Sequence, residues 1–167
     1  MELVGRMMDG SIPWDPRGTL FPSSGPPLGQ DEKIERLQEV PIFRQCTRRQ
    51  LRAIARITGV FDAPASSVLT RAGEPGREFF LILDGTARVE IPPRKRGKMG
   101  SGDFFGEMSL LDGEPRSATV VAETGLRMLV IDGKHFWELL KEVPELTYTI
   151  MATLSRRVRQ AEKSLNA

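Results

Sequence analysis

The chain has 167 residues, of which 40% are hydrophobic and 28% charged, and its formal net charge is +2. These values are typical of a globular protein and argue against a disordered chain or a membrane protein. The length suits one domain with a tail, because two separate cores would each be small. So small a net charge gives no overall case for nucleic-acid binding, which would need a local basic patch.

The sequence gives little support for a membrane protein, for a metal site or for a catalytic site built on cysteine and histidine. No apolar run approaches the roughly 20 residues that span a bilayer, and the first residues lack the apolar core of a signal peptide. The sequence therefore predicts a cytoplasmic protein without membrane insertion. Cys46 and His135 are each the only residue of their kind, so we interpret both as structural and expect no internal disulfide, metal site or cofactor.

Residues 1–30 form a Gly/Pro-rich segment in which five prolines interrupt any helical or strand period. We predict a flexible N-terminal tail over this range. Its apolar residues Trp14, Leu20 and Phe21 are either an unpacked lead-in or a small docking motif. The domain itself is predicted over 31–167.

Two helices are predicted over 31–58. Apolar residues recur with a helical period up to Val40, and Pro41 breaks the first helix. Thr47 and Gln50 are spaced as a capping box, in which each side chain bonds a backbone N–H at the start of the second helix. This helix is expected to end before Gly59.

After Gly59 the apolar period becomes alternating, which predicts an antiparallel β-roll over 60–131. The predicted strands are 60–63, 68–71, 79–83, 86–91, 117–122 and 126–131. Asp84-Gly85 is typical of a hairpin turn. On the strand that follows, Ala87, Val89 and Ile91 are expected to face the core. Met99, Met108 and Met128 are interpreted as core filler.

The helical period returns over 133–163 and predicts a C-terminal helix pair. Pro144 suits the first turn of the last helix. The apolar stripe of this helix is Leu146, Ile150, Leu154 and Val158. The predicted fold class is therefore α+β, mainly β: an antiparallel β-roll or jelly roll flanked by N-terminal helices and a C-terminal helix pair.

The stretch from Gly102 to Val120 carries the chemistry. Gly106 precedes a single helical turn that begins at Glu107, so free backbone N–H groups and the helix dipole favour an anion there. Arg116, at the start of the next strand, can contact the same anion bidentately. The Glu107 carboxylate remains to accept a hydrogen bond from a hydroxyl group. The stretch therefore suits a ligand with both a phosphate and a sugar.

This stretch resembles the phosphate-binding cassette of the cyclic nucleotide-binding domain family, which includes the catabolite activator protein and protein kinase A regulatory subunits. The resemblance covers roughly residues 34–163. It implies a regulatory module without a reaction of its own, whose ligand is cyclic AMP, with cyclic GMP as the alternative. The implied ligand-binding residues are Phe105, Gly106, Glu107, Met108, Ser109, Arg116, Ser117 and Ala118.

The resemblance also implies individual roles. Gly106 lets the backbone approach the ribose, Glu107 accepts the 2′-hydroxyl, and Arg116 pairs with the cyclic phosphate beside the N–H groups of Ser109 and Ser117. Family members that prefer cyclic GMP often carry Thr at the position of Ser117, so we expect a preference for cyclic AMP. The last helix is expected to cover the base, to form a dimer contact and to transmit the signal.

Other interpretations stay open at this point. Glu107 and Arg116 could pair with each other in a ligand-free structural interaction domain. The chain could also be the sensor part of a catabolite-activator-type transcription regulator; it ends at Ala167, so no DNA binding is expected of this chain alone. The basic run of residues 94–98 is either a nucleic-acid or acidic-partner patch or a solvated hairpin tip. An enzyme is least supported, because no base or nucleophile accompanies Glu107.

Overall fold

A computed structural model of the chain describes residues 21–22, 30–93 and 95–165. The helices are α1 (Gln30–Glu39), a 3-10 turn (Pro41–Phe43), α2 (Arg48–Ile57), α3 (Glu107–Asp112), α4 (Gly133–Glu142) and α5 (Pro144–Leu165). The strands are β1 (Phe21–Pro22), β2 (Gly59–Ala63), β3 (Val68–Thr70), β4 (Glu78–Asp84), β5 (Ala87–Ile91), β6 (Lys95–Met99), β7 (Phe104–Phe105), β8 (Thr119–Ala122) and β9 (Leu126–Asp132).

The strands form two antiparallel sheets with the orders β1-β2-β9-β4-β7 and β3-β8-β5-β6. Strand β4 shows how the sheets and helices are layered. Phe79, Leu81 and Leu83 belong to the apolar cluster shared with the helices, whereas Phe80 and Ile82 belong to the cluster between the two sheets. Because side chains alternate along a strand, a continuous apolar run is needed where both faces of the sheet are covered.

The N-terminal helices follow the predicted pattern. The Gln50 N–H donates to Thr47 Oγ1 at 3.1 Å, and the Thr47 N–H donates to Gln50 Oε1 at 2.8 Å, so the capping box is confirmed. Pro41 begins the short 3-10 turn that separates α1 from α2. Both helices pack their apolar faces on the five-stranded sheet within one cluster.

The hairpin predicted at Asp84-Gly85 is wrong. Strands β4 and β5 lie in different sheets, so this corner carries the chain from one sheet to the other. Gly85 has a φ of +99°, and a Cβ there would lie 2.3 Å from the carbonyl oxygen of Gly125. The Asp-Gly pair therefore marks a tight corner, while β5 forms its hairpin with β6, from Ala87 opposite Met99 to Ile91 opposite Lys95.

The predicted flexible tail requires a correction at two residues. Phe21 and Pro22 pair with Asp62 and Phe61 and extend the edge of the five-stranded sheet. The other residues before Gln30, including Trp14 and Leu20, lie outside the described residues. Backbone pairing of β1 shows that Phe21 and Pro22 contact the domain itself.

The stripe predicted for the last helix leaves the core halfway along. Leu146 and Ile150 are buried, Leu154 is half-buried, and Val158 is 56% exposed. The first half of α5 therefore packs on the domain, whereas the second half faces the cavity described below. Among the described helices, none is both long and apolar enough to cross a bilayer. A cytoplasmic location stays a prediction.

The single cysteine and the single histidine have structural surroundings. Cys46 is half-buried against the helix-side core. His135 lies at the start of α4, where its N–H donates to the N-cap carboxylate of Asp132 at 2.8 Å and its ring Nδ1 lies 2.9 Å from the same carboxylate. Such a cap satisfies backbone groups that a helix start leaves unpaired.

Candidate functional site

A cavity of about 750 Å³ lies between the four-stranded sheet, α3 and the second half of α5. Its volume is in the range of sites for small organic ligands, roughly 300–1,000 Å³. All of the predicted ligand-binding residues line it: Phe105, Gly106, Glu107, Met108, Ser109, Arg116, Ser117 and Ala118. The structure therefore brings the whole predicted set together at one site.

Gly106 connects β7 to α3 and cannot be replaced without movement. Its φ is +92°, which disfavours any residue with a Cβ. A Cβ at this position would lie 2.5 Å from the Glu78 carbonyl oxygen and 2.8 Å from Arg116 Nη1. The glycine thus lets the chain turn into α3 in contact with β4 and with the arginine.

Arg116 is a buried cation, with 6% of the residue exposed. Its Nη1 donates to the Gly106 carbonyl oxygen and its Nη2 to Glu78 Oε2, both at 3.0 Å. Its backbone is tied to the turn before β4, because the Arg116 N–H donates to the Glu74 carbonyl and the Gly73 N–H donates to the Arg116 carbonyl, each at 2.8 Å. The protein's own groups therefore hold the guanidinium in place.

Glu107 is more deeply buried still, at 1% exposure. One carboxylate oxygen, Oε1, accepts a short hydrogen bond from Arg157 Nη1. The other, Oε2, has no hydrogen-bond partner within the described part of the chain. Burial raises the pKa of Glu107 above its ordinary value, and the opposing attraction of Arg157 offsets this only in part.

Arg157 is a site residue that sequence reasoning missed. Besides Glu107, it contacts Phe104: its Nη2 donates to the Phe104 carbonyl at 2.8 Å, and its Cζ lies 5.0 Å from the ring centroid. The ion pairs Arg157–Glu107 and Arg116–Glu78 take the place of the Glu107–Arg116 pair considered from the sequence. Arg157 lies 50 residues after Glu107, so no local motif could connect them.

The rest of the cavity wall is mostly apolar. Sheet and helix face each other across it through Val89, Ile91, Met99, Leu154, Val158 and Ala161. The prediction that Ile91 faces the core is wrong, because this residue is 41% exposed at the cavity. Met128 is core filler as expected, whereas Met108 is 45% exposed and lines the cavity.

Comparison with known proteins agrees with this geometry. Residues 61–143 match the family model of the cyclic nucleotide-binding domain. A cyclic nucleotide-gated potassium channel of Mesorhizobium japonicum is 36% identical over 118 residues, which cover 71% of this chain and 33% of the channel. A cAMP-dependent protein kinase regulatory subunit of Schizosaccharomyces pombe is 36% identical over 115 residues, which cover 66% of this chain and 27% of that subunit.

A solved structure described as cAMP-bound PfPKA-R has a TM-score of 0.69 at 27% identity, covering 82% of this chain and 46% of that one. This likeness confirms the predicted α+β roll with flanking helices. The chain spans a third or less of the length of the two relatives named above. The fold, the family model and the cavity agree, and the chain belongs to the cyclic nucleotide-binding domain family.

Proposed function

We propose that the chain is a regulatory module that binds cyclic AMP in this cavity and signals through α5, without a reaction of its own. The observation that carries the proposal is that a buried guanidinium, Arg116, and a buried carboxylate, Glu107, both line the wall of one cavity. A cation for a phosphate and an acceptor for a hydroxyl match the two polar parts of a cyclic nucleotide. The names of two similar proteins, a cAMP-dependent kinase subunit and a cAMP-bound regulatory protein, support the choice of cyclic AMP.

The phosphate is assigned to Arg116. Its guanidinium is already ordered by Glu78 and the Gly106 carbonyl, so little side-chain entropy is lost on binding. A charge-assisted contact in a buried place is among the stronger hydrogen bonds. The N–H groups of Ser109 and Ser117 are proposed to share the phosphate, with Ser109 buried and Ser117 exposed beside Met108.

The ribose is assigned to Glu107. An unsatisfied buried acceptor is unfavourable by about 1–3 kcal/mol, and more when it is charged. A 2′-hydroxyl that donates to Glu107 Oε2 removes this penalty. Gly106 also lines the cavity, and we assign the backbone there to contact with the sugar. The Arg157–Glu107 ion pair can persist in the complex, because it uses the other carboxylate oxygen.

The base is assigned to the apolar wall. Val89 and Ile91 on β5 face Leu154 and Val158 on α5 across the cavity, so a purine ring can lie between sheet and helix. We propose that cyclic AMP is preferred to cyclic GMP, because serine and not threonine stands at position 117. The preference is therefore open to a direct competition measurement.

Signal output is assigned to α5. Arg157 ties this helix to Glu107 and to Phe104, and Val158 lines the cavity beside it. Two further apolar side chains of α5 are exposed: Tyr148 is 73% and Met151 58% exposed. Exposed apolar surface marks interaction sites in many proteins, and we propose a homodimer contact through Tyr148 and Met151. A ligand that changes the position of α5 then changes the dimer, as a population shift.

Calorimetric titration with cyclic AMP tests the binding proposal, on protein unfolded and refolded to remove carried-over nucleotide. We expect a dissociation constant of micromolar order or below, about −8 kcal/mol. Arg116→Ala should weaken binding by about 3 kcal/mol or more, since charge-assisted phosphate contacts disappear. Arg127→Ala is the matched control, because Arg127 also pairs with a carboxylate but lies outside the cavity. Equal affinity in wild type and Arg116→Ala would sink the assignment.

Hydrogen exchange with and without cyclic AMP tests the output proposal. We expect altered protection both in the cassette, residues 105–120, and along α5. A change confined to the cassette would leave α5 as a helix packed permanently on the roll. If α5 is packed permanently in this way, Arg157→Ala should also leave the hydrogen exchange of α5 unaltered, against our proposal.

A further inference from the structure

Helix α2 carries a cationic surface that the nucleotide site does not use. Arg48, Arg49, Arg52 and Arg56 are all exposed, as is Arg44 in the turn before the helix. At 100° per residue the four helical arginines fall within an arc of about 100°, and α2 contains no acidic residue. These five side chains form the arginine face.

Little in the described part of the chain neutralises the arginine face. Asp31 on α1 approaches Arg48 to 3.8 Å, but these side chains are 89% and 53% exposed. Exposed pairs of this kind are screened by water and salt. Among the described residues, no other ion pair involves the arginine face. The face therefore carries more positive charge than the whole chain, whose net charge is +2.

The arginine face is separate from the cavity, and it has no apolar anchor. None of its residues lines the nucleotide site. No large apolar side chain of α2 is exposed, so insertion into a bilayer has no support and an anionic membrane would be held by charge alone. The partner must be recognised through its negative charges.

The acidic helix α1 narrows the choice of partner. Its exposed residues include Asp31, Glu32, Glu35 and Glu39, and packed helices lie about 8–10 Å apart. Phosphates surround a nucleic-acid duplex and cover a bilayer, so either partner on the arginine face brings phosphates within about a Debye length of the α1 carboxylates. A single helical segment, about 10–12 Å wide, can carry its carboxylates on one face and turn that face towards α2 and away from α1. We propose that the arginine face docks an acidic protein segment.

The spacing of the arginines describes that segment. Arg48, Arg52 and Arg56 recur at every fourth residue, a rise of about 6 Å each. A helix with glutamate at every fourth position presents carboxylates at the same interval, and each guanidinium can bind a carboxylate bidentately. Single exposed pairs contribute little. The contact is therefore weak, reversible and sensitive to salt.

Fluorescence anisotropy with two labelled peptides of about 20 residues tests the proposal. One has glutamate at every fourth position; the other has the same composition with its glutamates bunched at one end. At low salt, about 50 mM, the spaced peptide should bind better, and binding should weaken as salt rises. The triple variant Arg49→Glu, Arg52→Glu and Arg56→Glu should weaken it by about tenfold or more.

A control triple variant makes the same charge change elsewhere: Arg71→Glu, Lys134→Glu and Lys141→Glu, all at exposed positions outside α2. It should keep most of the affinity for the spaced peptide. Both triple variants should still bind cyclic AMP, which shows that they fold. The proposal fails if neither peptide binds, if both bind equally, or if the control loses as much affinity. A DNA duplex that binds more tightly than the spaced peptide, and is lost in the arginine variant, overturns it in favour of nucleic acid.

Discussion

Glu107→Gln should weaken ligand binding while leaving the ligand-free fold at least as stable. The residue is 1% exposed and its Oε2 has no described partner. Replacing the buried carboxylate by a neutral amide gains about 1–3 kcal/mol at most, because the amide NH2 at the place of Oε2 is itself left without a described partner. The loss of the ion pair offsets part of this, but Arg157 is 35% exposed and can turn towards water. We expect the free energy of unfolding to change by between about 0 and +2 kcal/mol.

The affinity of Glu107→Gln for cyclic AMP should fall, although the stability of the variant does not. In the wild type the 2′-hydroxyl donates to a charged carboxylate, a bond of about 1.5–3 kcal/mol. In Glu107→Gln it donates to a neutral amide, a bond of about 0.5–1.5 kcal/mol. The difference corresponds to roughly tenfold weaker binding of cyclic AMP. A ligand without the 2′-hydroxyl loses the whole bond of about 1.5–3 kcal/mol and should bind the wild type at least about tenfold more weakly than cyclic AMP does. Its loss of affinity for Glu107→Gln should be much smaller. This double comparison isolates the contact between the carboxylate and the hydroxyl.

The same substitution should flatten the dependence of stability on pH. Because burial raises the pKa of Glu107 in the folded state, the folded chain binds this proton more tightly than the unfolded chain. The resulting stabilisation is complete below the unfolded pKa and is lost as pH rises through the folded pKa. Relative to Glu107→Gln, the ligand-free wild type should therefore lose stability as pH rises through this window.

Urea unfolding without ligand, over a pH series, measures the stability terms, and calorimetry measures the affinities. A loss of several kcal/mol in the ligand-free variant would refute the reasoning, because it would mean that the ion pair outweighs the burial of the unpaired oxygen. Unchanged affinity for cyclic AMP would refute the assignment of the ribose to Glu107.

Four further results are expected. Arg157→Ala should speed amide exchange along α5 in the ligand-free protein, and Arg157→Lys should speed it less. Equal exchange in the wild type and both variants would contradict the proposed role of the Arg157–Glu107 ion pair in holding α5. Glu78→Gln should tighten cyclic AMP several-fold in calorimetry, because Gln still accepts from Arg116 but no longer repels the phosphate; weaker binding would make Glu78 essential for positioning Arg116. In competition, cyclic AMP should displace cyclic GMP at lower concentration, and the reverse order refutes the preference. Tyr148→Glu with Met151→Glu should shift the protein towards monomer in sedimentation, and an unchanged dimer excludes this face of α5.

The cassette could be predicted from the sequence because its groups are close along the chain. Only nine positions separate Glu107 from Arg116, and the glycines between strand and helix constrain the backbone locally. The capping box at Thr47 is local for the same reason. Short-range hydrogen bonding and turn geometry therefore account for the capping box and for the course of the backbone through the cassette.

The other parts depend on long-range packing. Glu78 and Arg157 reach the site from β4 and α5, 38 residues before Arg116 and 50 residues after Glu107. Neither stands in a recognisable motif, so only the fold reveals them. An Asp-Gly pair predicts a tight turn, but not which sheet the next strand joins, and this is why the hairpin at Asp84 was wrong. Strand β6, with the sequence Lys-Arg-Gly-Lys-Met, has no apolar alternation and is defined by its pairing with β5.

A crystal structure of the refolded chain with cyclic AMP would show where the phosphate and the ribose bind. We predict the nucleotide in the cavity, its cyclic phosphate in contact with the Arg116 guanidinium and its 2′-hydroxyl within hydrogen-bonding distance of Glu107 Oε2, about 2.5–3.0 Å. A nucleotide bound outside this cavity, or one whose phosphate contacts a different cation while the 2′-hydroxyl faces water, would contradict the account.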